Sequence, residues 1–176
     1  MTRSPHGRRS AGAPFRSGDL GKELLATFFG LGYAPVASGT FGTLGGVALA
    51  ALIGTVWPGA YLPAVLGLTL VLVLIGVPVG DWAEKRWGRK DPGQYVLDEV
   101  CGYLIAVAWP VFPGWTHLGI AFFAFRVADV VKAPPGGRLE KVPGGWGILL
   151  DDLVAGLWTL AFLVILRTAF PGLLAT

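Results

Sequence analysis

Five carboxylate side chains in the C-terminal half of the chain stand at the ends of apolar segments, in a sequence that carries few charges. They form three clusters: Asp98 with Glu99, Asp129 alone, and Asp151 with Asp152. Removing a carboxylate from water costs free energy, so an apolar segment rarely keeps one without a use for it. Carboxylate oxygens gathered at one point are the ligands that a hard cation such as Mg²⁺ requires. The clusters therefore predict a Mg²⁺-dependent reaction at a lipid surface.

Two basic residues accompany Asp129 at helical spacing. Arg126 lies three positions before it and Lys132 three positions after it, so the three side chains share one helix face. An internal relay of ion pairs would explain this pattern. The alternative is a phosphoryl site, in which Arg126 and Lys132 neutralise phosphate charge beside metal-binding carboxylates. A carboxylate that binds no metal would then accept the proton of the attacking water.

The remaining acidic clusters also have explanations without catalysis. Both are predicted to begin helices, where the helix dipole favours acidic side chains, so a membrane scaffold with capped helices is one alternative. A small membrane transporter or proton relay would also keep carboxylates among apolar helices. Such a protein would place them near the membrane midplane on broken helices, whereas these lie at segment ends.

A Gly-rich stretch at 30–43 is predicted to form a loop that binds phosphate. Its backbone N–H groups and hydroxyls are suited to an anion, although Gly-rich linkers are common and the loop alone decides little. The candidate phosphate-binding residues in it are Ser38, Gly39, Thr40, Gly42 and Thr43.

The composition bounds the class of protein. The chain is 53% hydrophobic and 14% charged, whereas soluble domains carry roughly 25% charged residues. With only His6 and His117, a histidine-rich zinc or copper site is excluded, and the lone Cys101 excludes an internal disulfide. We expect a disordered basic tail over 1–19 and a single helical domain over 20–176.

The apolar segments predict an all-α fold. They cover approximately 44–57, 61–79, 97–112, 117–131 and 153–170. Only the second approaches the ~20 residues that a membrane span needs. We therefore predict a compact bundle of membrane-embedded or membrane-associated helices, built from two helical hairpins and a C-terminal helix.

Basic residues and aromatic turns predict the orientation of these segments. Basic side chains concentrate in the tail, in 81–95 and in 132–141, whereas the aromatic turns at 57–63 and 109–115 contain none. The positive-inside rule places the basic stretches in the cytoplasm and both turns outside. All three acidic clusters and the stretch 38–43 then fall on the cytoplasmic face.

Four motifs resemble those of the bacterial phosphatidylglycerophosphatase A family. They are VLDEVCG at 96–102, FRVADVVK at 125–132, GGWGILLDDLVAG at 144–156, and the loop at 30–43. Their order and approximate spacing match the family over about residues 22–170. Four motifs in register make the resemblance specific, which any one of them would not.

The resemblance implies a Mg²⁺-dependent membrane phosphatase that converts phosphatidylglycerophosphate to phosphatidylglycerol and phosphate. It implies that the metal-binding and water-activating carboxylates are Asp98, Glu99, Asp129, Asp151 and Asp152. Arg126 and Lys132 would lie beside the phosphate. The expected partners are this phospholipid and the lipid bilayer of the bacterial inner membrane, with no nucleic acid; the oligomeric state is left open.

The sequence departs from the family pattern after Lys132. The family often has Lys-Pro-x-Pro followed by Val or Ile and then Arg, but this chain has KAPPGGR at 132–138. Ala133 replaces a proline, Gly137 takes the usual arginine position, and Arg138 follows one residue later. Arg138 is the remaining candidate for phosphate contact, and Ser38 stands where proline is frequent. These departures concern contacts to the lipid headgroup and leave the acidic residues intact.

Overall fold

The structure, a computed structural model, describes residues 16–139 and 141–172, and these form helices and connecting segments without a β-strand. The predicted all-helical fold is confirmed. The helices in the described residues are α1 Leu20–Ala26, α2 Ser38–Val56, α3 Tyr61–Trp87, α4 Leu97–Ala106, α5 Trp115–Val131, α6 Gly136–Leu139 and α7 Gly145–Ala169. Of the predicted tail, 1–15 lie outside the described residues, and Ser17–Asp19 form a 3₁₀ turn that leads into α1.

Helices α2 with α3 and α4 with α5 form the two predicted hairpins, and α7 is the predicted C-terminal helix. The 3₁₀ turn Pro58–Ala60 connects α2 to α3, and the irregular stretch 107–114 connects α4 to α5. Helix α4 packs against α2, α3, α5 and α7, and most of its side chains are buried. A helix that is apolar on nearly all faces is typical of a position at the centre of a bundle.

The apolar segment predicted at 97–112 is only partly helical. Helix α4 ends at Ala106, because Pro110 and Pro113 cannot continue a regular helix. Its ten residues correspond to about 15 Å of helix, which is too short to cross a membrane.

In the part of the chain that the structure describes, three other helices are long and apolar enough to cross a membrane: Ser38–Val56, the stretch Pro58–Trp87 and Gly145–Ala169. The apolar segments predicted at 44–57 and 153–170 are therefore parts of longer helices. Each of these two helices begins upstream of its apolar segment, in a glycine-containing stretch whose sequence resembles a loop.

The prediction of a loop at 38–43 is wrong, because these residues form the first turns of α2. The glycines there serve helix packing. A Cβ atom at Gly42 would stand 2.8 Å from the Cβ of Val96, so only glycine lets α2 lie this close to the start of α4. The Thr43 hydroxyl donates a hydrogen bond of 2.9 Å to the Gly39 carbonyl one turn earlier, as a residue within a helix does.

Candidate active site

One acidic cavity is lined by all five carboxylates and by both basic residues that the sequence analysis identified between positions 98 and 152. Its volume is about 210 Å³. The residues that line it are Asp91, Asp98, Glu99, Arg126, Asp129, Val130, Lys132, Ile148, Asp151 and Asp152. Helices α4, α5 and α7 each contribute to the wall, so the cavity exists only when the three are packed together.

Three of the carboxylates form a group that can hold a metal ion. Asp98, Glu99 and Asp152 each offer an oxygen, and these oxygens all lie within 4.8 Å of one another. Asp98 and Asp152 are almost completely buried. Oδ1 of Asp98 and Oε2 of Glu99 are buried and have no hydrogen-bond partner among the described residues. Buried polar atoms normally have partners, and unpartnered carboxylate oxygens in a group fit a divalent cation.

The electrostatics of this group point the same way. Burial raises the pKa of the Asp98 carboxyl well above its usual range, and the neighbouring Glu99 carboxylate raises it further. Burial also raises the pKa of Glu99, against a hydrogen bond with Asp98 that lowers it. A bound cation would lower the pKa of both Asp98 and Glu99 again, because it favours the ionised form of each carboxylate.

The other two predicted carboxylates are paired with the basic residues of the cavity. Nη1 of Arg126 lies 2.6 Å from Oδ2 of Asp129, and Nζ of Lys132 lies 3.3 Å from Oδ2 of Asp151. These ion pairs hold two positive charges at the wall of the cavity. The structure thus divides the five acids into a group of three and two members of ion pairs.

Asp151 and Asp152 do not begin the last helix, as the sequence had indicated. Helix α7 begins at Gly145, so both acids lie almost two turns inside it, and the helix dipole does not explain them. The early start has a visible cause: Oδ1 of Asp81 on α3 accepts a hydrogen bond of 2.8 Å from the Gly145 N–H. Asp98 and Glu99, in contrast, lie in the first turn of α4 as predicted.

The predicted phosphate-binding residues of α2, all within the described part of the chain, lie beside the cavity without lining it. Ser38 Oγ donates a hydrogen bond of 2.5 Å to the Gly93 carbonyl. Thr40 lies in the first turn of α2, and Gly42 packs on Val96.

Two residues of the same stretch, Gly39 and Thr43, lie against side chains of the cavity wall. A Cβ atom at Gly39 would collide with the Glu99 carboxylate and stand 3.1 Å from Nη1 of Arg126. Thr43 Oγ1 accepts a hydrogen bond of 3.4 Å from the same nitrogen. The stretch therefore supports Glu99 and Arg126.

Arg138 lines a neighbouring cavity of about 310 Å³. The other residues of this basic cavity are Lys132, Pro134, Pro135 and Gly137. Lys132 lines both cavities and so marks their boundary. The altered sequence at 132–138 thus leaves Arg138 next to the acidic cavity without making it part of the wall.

Sequence reasoning missed two acids. Asp91 lines the cavity from the segment before α4, and Asp81 caps α7. Asp91 stands seven residues before Asp98, but the segment between them is not helical, so this spacing does not put the two acids on one helix face. The available signal for Asp91 was a single acid directly after the basic residues 85–90, followed by Pro92.

Comparison with known proteins identifies the family. The family model described as phosphatidylglycerophosphatase A matches residues 24–167, a range that contains the whole acidic cavity. A protein of Bacteroides thetaiotaomicron named putative phosphatidylinositol-3-phosphatase is 36% identical over 154 residues, which are 82% of this chain and 92% of that protein. No solved structure matches the chain.

Two relatives carry the family's own name. The phosphatidylglycerophosphatase A of Escherichia coli is 32% identical over 84% of each chain. That of Haemophilus influenzae is 32% identical over 77% of this chain and 82% of its own. The chain belongs to the phosphatidylglycerophosphatase A family, as its motifs predicted, and it is a phosphatase.

Proposed function

We propose that the protein hydrolyses the terminal phosphomonoester of phosphatidylglycerophosphate, with Mg²⁺ as its cofactor. The observation that carries the proposal is the position of Asp98, Glu99 and Asp152 within one cavity that Arg126 and Lys132 also line. Oxygen ligands and phosphate-neutralising cations are the two requirements of a metal-assisted phosphatase. Family membership and two relatives named for this activity support the choice of substrate.

Asp98, Glu99 and Asp152 would hold the metal. Their fit rests on the close approach of their oxygens and on the two buried oxygens without partners. When bound, Mg²⁺ supplies polarisation of the phosphate oxygens and a lowered pKa of bound water. The motifs also made Asp129 and Asp151 candidates for metal binding. In this proposal they take other roles, because each forms an ion pair with a basic side chain of the cavity.

Asp129 is the proposed proton acceptor. As the bond from the water oxygen to phosphorus forms, the bond from phosphorus to the glycerol oxygen breaks, and the water proton passes to Asp129. Asp129 then returns this proton to the glycerol oxygen, so the products are phosphatidylglycerol and inorganic phosphate. Arg126 neutralises charge on the transferred group and is held by Thr43 and Asp129.

The basic cavity suits the second phosphate of the substrate. Phosphatidylglycerophosphate carries an internal phosphodiester in addition to the monoester that is removed. Lys132 lies at the boundary of the two cavities and Arg138 lies beyond it. We assign the phosphodiester to this pair, because two positive charges next to the reaction site match a second anion.

We place the acidic cavity at the cytoplasmic face of the bacterial inner membrane. It lies at the end of the bundle where α3 finishes with Lys85 and Arg86. Trp57 directly follows α2 and Trp115 begins α5, so both lie at the helix ends that face away from the cavity. Both are exposed aromatic residues suited to the outer interface. The positive-inside rule supports this orientation. The gathering of the acids in one cavity near the ends of α4 and α5, away from the middle of the long helices, also disfavours a transporter.

The test is phosphate release by the purified full-length protein in detergent micelles. We expect release from phosphatidylglycerophosphate that requires Mg²⁺ and is abolished by EDTA. Asp98→Asn should lower kcat/KM by about 100-fold or more, since several kcal/mol of charge stabilisation are lost. Asp19→Asn is the matched control, because Asp19 pairs with Lys22 outside the cavity.

Three results would contradict the proposal. They are an absence of release by folded wild-type protein, near-normal turnover by Asp98→Asn, and turnover that persists in EDTA. Phosphatidylinositol 3-phosphate serves as a competing substrate, since one relative is named for it. Preference for that lipid would move the substrate to the inositol phospholipids.

A further inference from the structure

A third cavity among the described residues is almost entirely apolar. This groove, of about 350 Å³, lies between α5 and α7 and is lined by Ala124, Val127, Ala128, Trp158, Thr159 and Phe162. The one hydroxyl in its wall, that of Thr159, donates to the Ala155 carbonyl of its own helix at 2.9 Å. The surface offered to a ligand is therefore hydrocarbon and aromatic.

The groove and the acidic cavity are lined by neighbouring parts of the same two helices, α5 and α7. On α5, Val127 and Ala128 stand between Arg126 and Asp129, which line that cavity. On α7, Trp158 follows Asp151 by seven residues, or about 10 Å along the helix. Both helices lead away from the acids in this direction, so a ligand with a polar head in the cavity can extend an apolar tail along the groove.

Trp158 forms the boundary between the groove and the basic cavity. Its ring lines the groove, while its Nε1–H donates a hydrogen bond of 2.6 Å to the Pro134 carbonyl. Pro134 in turn lines the cavity of Lys132 and Arg138. A tryptophan with an apolar ring and a bonded N–H is suited to the junction of a headgroup and its hydrocarbon.

We propose that the groove between α5 and α7 holds an acyl chain of the phospholipid substrate. The inference rests on the proposed function and deepens it, because it names the part of the lipid that is recognised besides the phosphates. The occupant is argued from continuity: the cavity for the monoester, the cavity for the phosphodiester and the groove adjoin one another through Lys132 and Trp158.

The groove acts by positioning the substrate. An acyl chain gains little hydrophobic free energy on leaving the bilayer for a protein groove, since both surroundings are apolar. A chain held between Val127 and Phe162 nevertheless fixes the depth and direction from which the headgroup enters the cavity. Such orientation raises the rate of reaction at the phosphate. A lipid with short chains cannot use it.

The test compares kcat/KM for dioleoyl and dibutyryl phosphatidylglycerophosphate. Val127, which is 63% exposed, is changed to tryptophan to fill the groove. We expect Val127→Trp to lower the dioleoyl-to-dibutyryl ratio by about tenfold, the scale on which apolar pockets discriminate between chains. Phe162→Ala, which removes one wall and cannot overpack, should lower the same ratio. Ile165→Trp is the control, because Ile165 is 65% exposed on α7 but lies outside the groove.

Three outcomes of this comparison would overturn the proposal. An unchanged ratio in both groove variants, or an equal fall in Ile165→Trp, would show that the groove does not select the chain. A change in oligomeric state by light scattering in Val127→Trp, with the ratio unchanged, would make the groove an interface between copies of the protein. Absence of hydrolysis of either lipid by the wild type would overturn the proposed function as well, which distinguishes that failure from the first two.

Discussion

The carboxylate of Asp81 on α3 accepts a hydrogen bond of 2.8 Å from the backbone N–H of Gly145, the first residue of α7. This contact joins residues 64 positions apart. It satisfies an amide at the helix N-terminus that has no partner within the helix, and it places negative charge where the helix dipole favours it. The contact therefore holds the helical turns that precede Asp151 and Asp152.

Asp81→Ala is expected to destabilise the protein by about 0.5–2 kcal/mol, as the loss of a capping side chain usually does. Because α7 carries Asp152, the concentration of Mg²⁺ required for half-maximal phosphate release should also rise. Thermal unfolding in detergent and a Mg²⁺ titration of activity measure the two effects. Asp81→Asn keeps an acceptor oxygen and should restore most of both. Equal behaviour of the two variants would contradict a capping role.

Gly102→Ala is expected to disturb the contact between α4 and α7. A Cβ atom at position 102 would stand 2.5 Å from the Asp152 carbonyl oxygen, which is backbone and cannot rotate away. The helices must therefore separate, at a cost of about 1–3 kcal/mol. Asp98, one turn before Gly102, should move away from Asp152, so the affinity for Mg²⁺ should fall with stability.

Gly119→Ala is the matched control for this substitution. Gly119 lies within α5, and a Cβ atom there would have no neighbour within 4 Å. Alanine at such a site should stabilise the helix by roughly 0.5–1 kcal/mol. Melting temperatures in detergent compare the two variants. A Gly102→Ala protein at least as stable as Gly119→Ala would mean that the helices do not depend on this close approach.

Stability without metal is expected to depend on pH through Asp98 and Glu99. The folded-state pKa of each is raised by burial. Between the unfolded and folded values, the folded protein binds more protons than the unfolded chain, so the free energy of unfolding falls as pH rises through that window. Saturating Mg²⁺ should remove most of this fall, because it stabilises the ionised carboxylates.

Melting temperatures at stepped pH, in EDTA and in Mg²⁺, measure this linkage. Asp98→Asn in EDTA should show a flatter dependence than the wild type, because one of the two groups no longer ionises. The expected result is a melting temperature that falls with pH more steeply in the wild type than in Asp98→Asn. If the wild-type melting temperature in EDTA instead rose with pH relative to that of Asp98→Asn, the prediction would be contradicted.

Arg138→Gln is expected to change selectivity between lipids. If Arg138 binds the internal phosphodiester, its loss should lower kcat/KM for phosphatidylglycerophosphate relative to phosphatidic acid, which has only a monoester. The expected fall in the ratio is about tenfold or more, in line with the loss of a hydrogen bond to a charged group. Lys141→Gln, a nearby basic residue outside both cavities, should leave the ratio unchanged. An equal loss on both lipids would place Arg138 at the monoester instead.

Much of the candidate site was predictable because helical spacing is a local property. Arg126 and Asp129 share a face of α5 by their spacing alone, whereas Lys132 follows the end of that helix in a left-handed conformation and still lines the same cavity. The all-helical fold and the family followed from the apolar segments and from motifs in register. The first inference requires only short windows of sequence, and the second requires the order of four such windows along the chain.

The sequence by itself determined which side chains are available for chemistry: five clustered carboxylates, two flanking cations and a glycine-rich stretch. Tertiary structure decided how they divide. The group of Asp98, Glu99 and Asp152 and the ion pair between Lys132 and Asp151 both depend on distances between helices. Those distances are set where backbones meet, as at Gly102. Such contacts join residues far apart in the chain, so no periodicity within one segment records them.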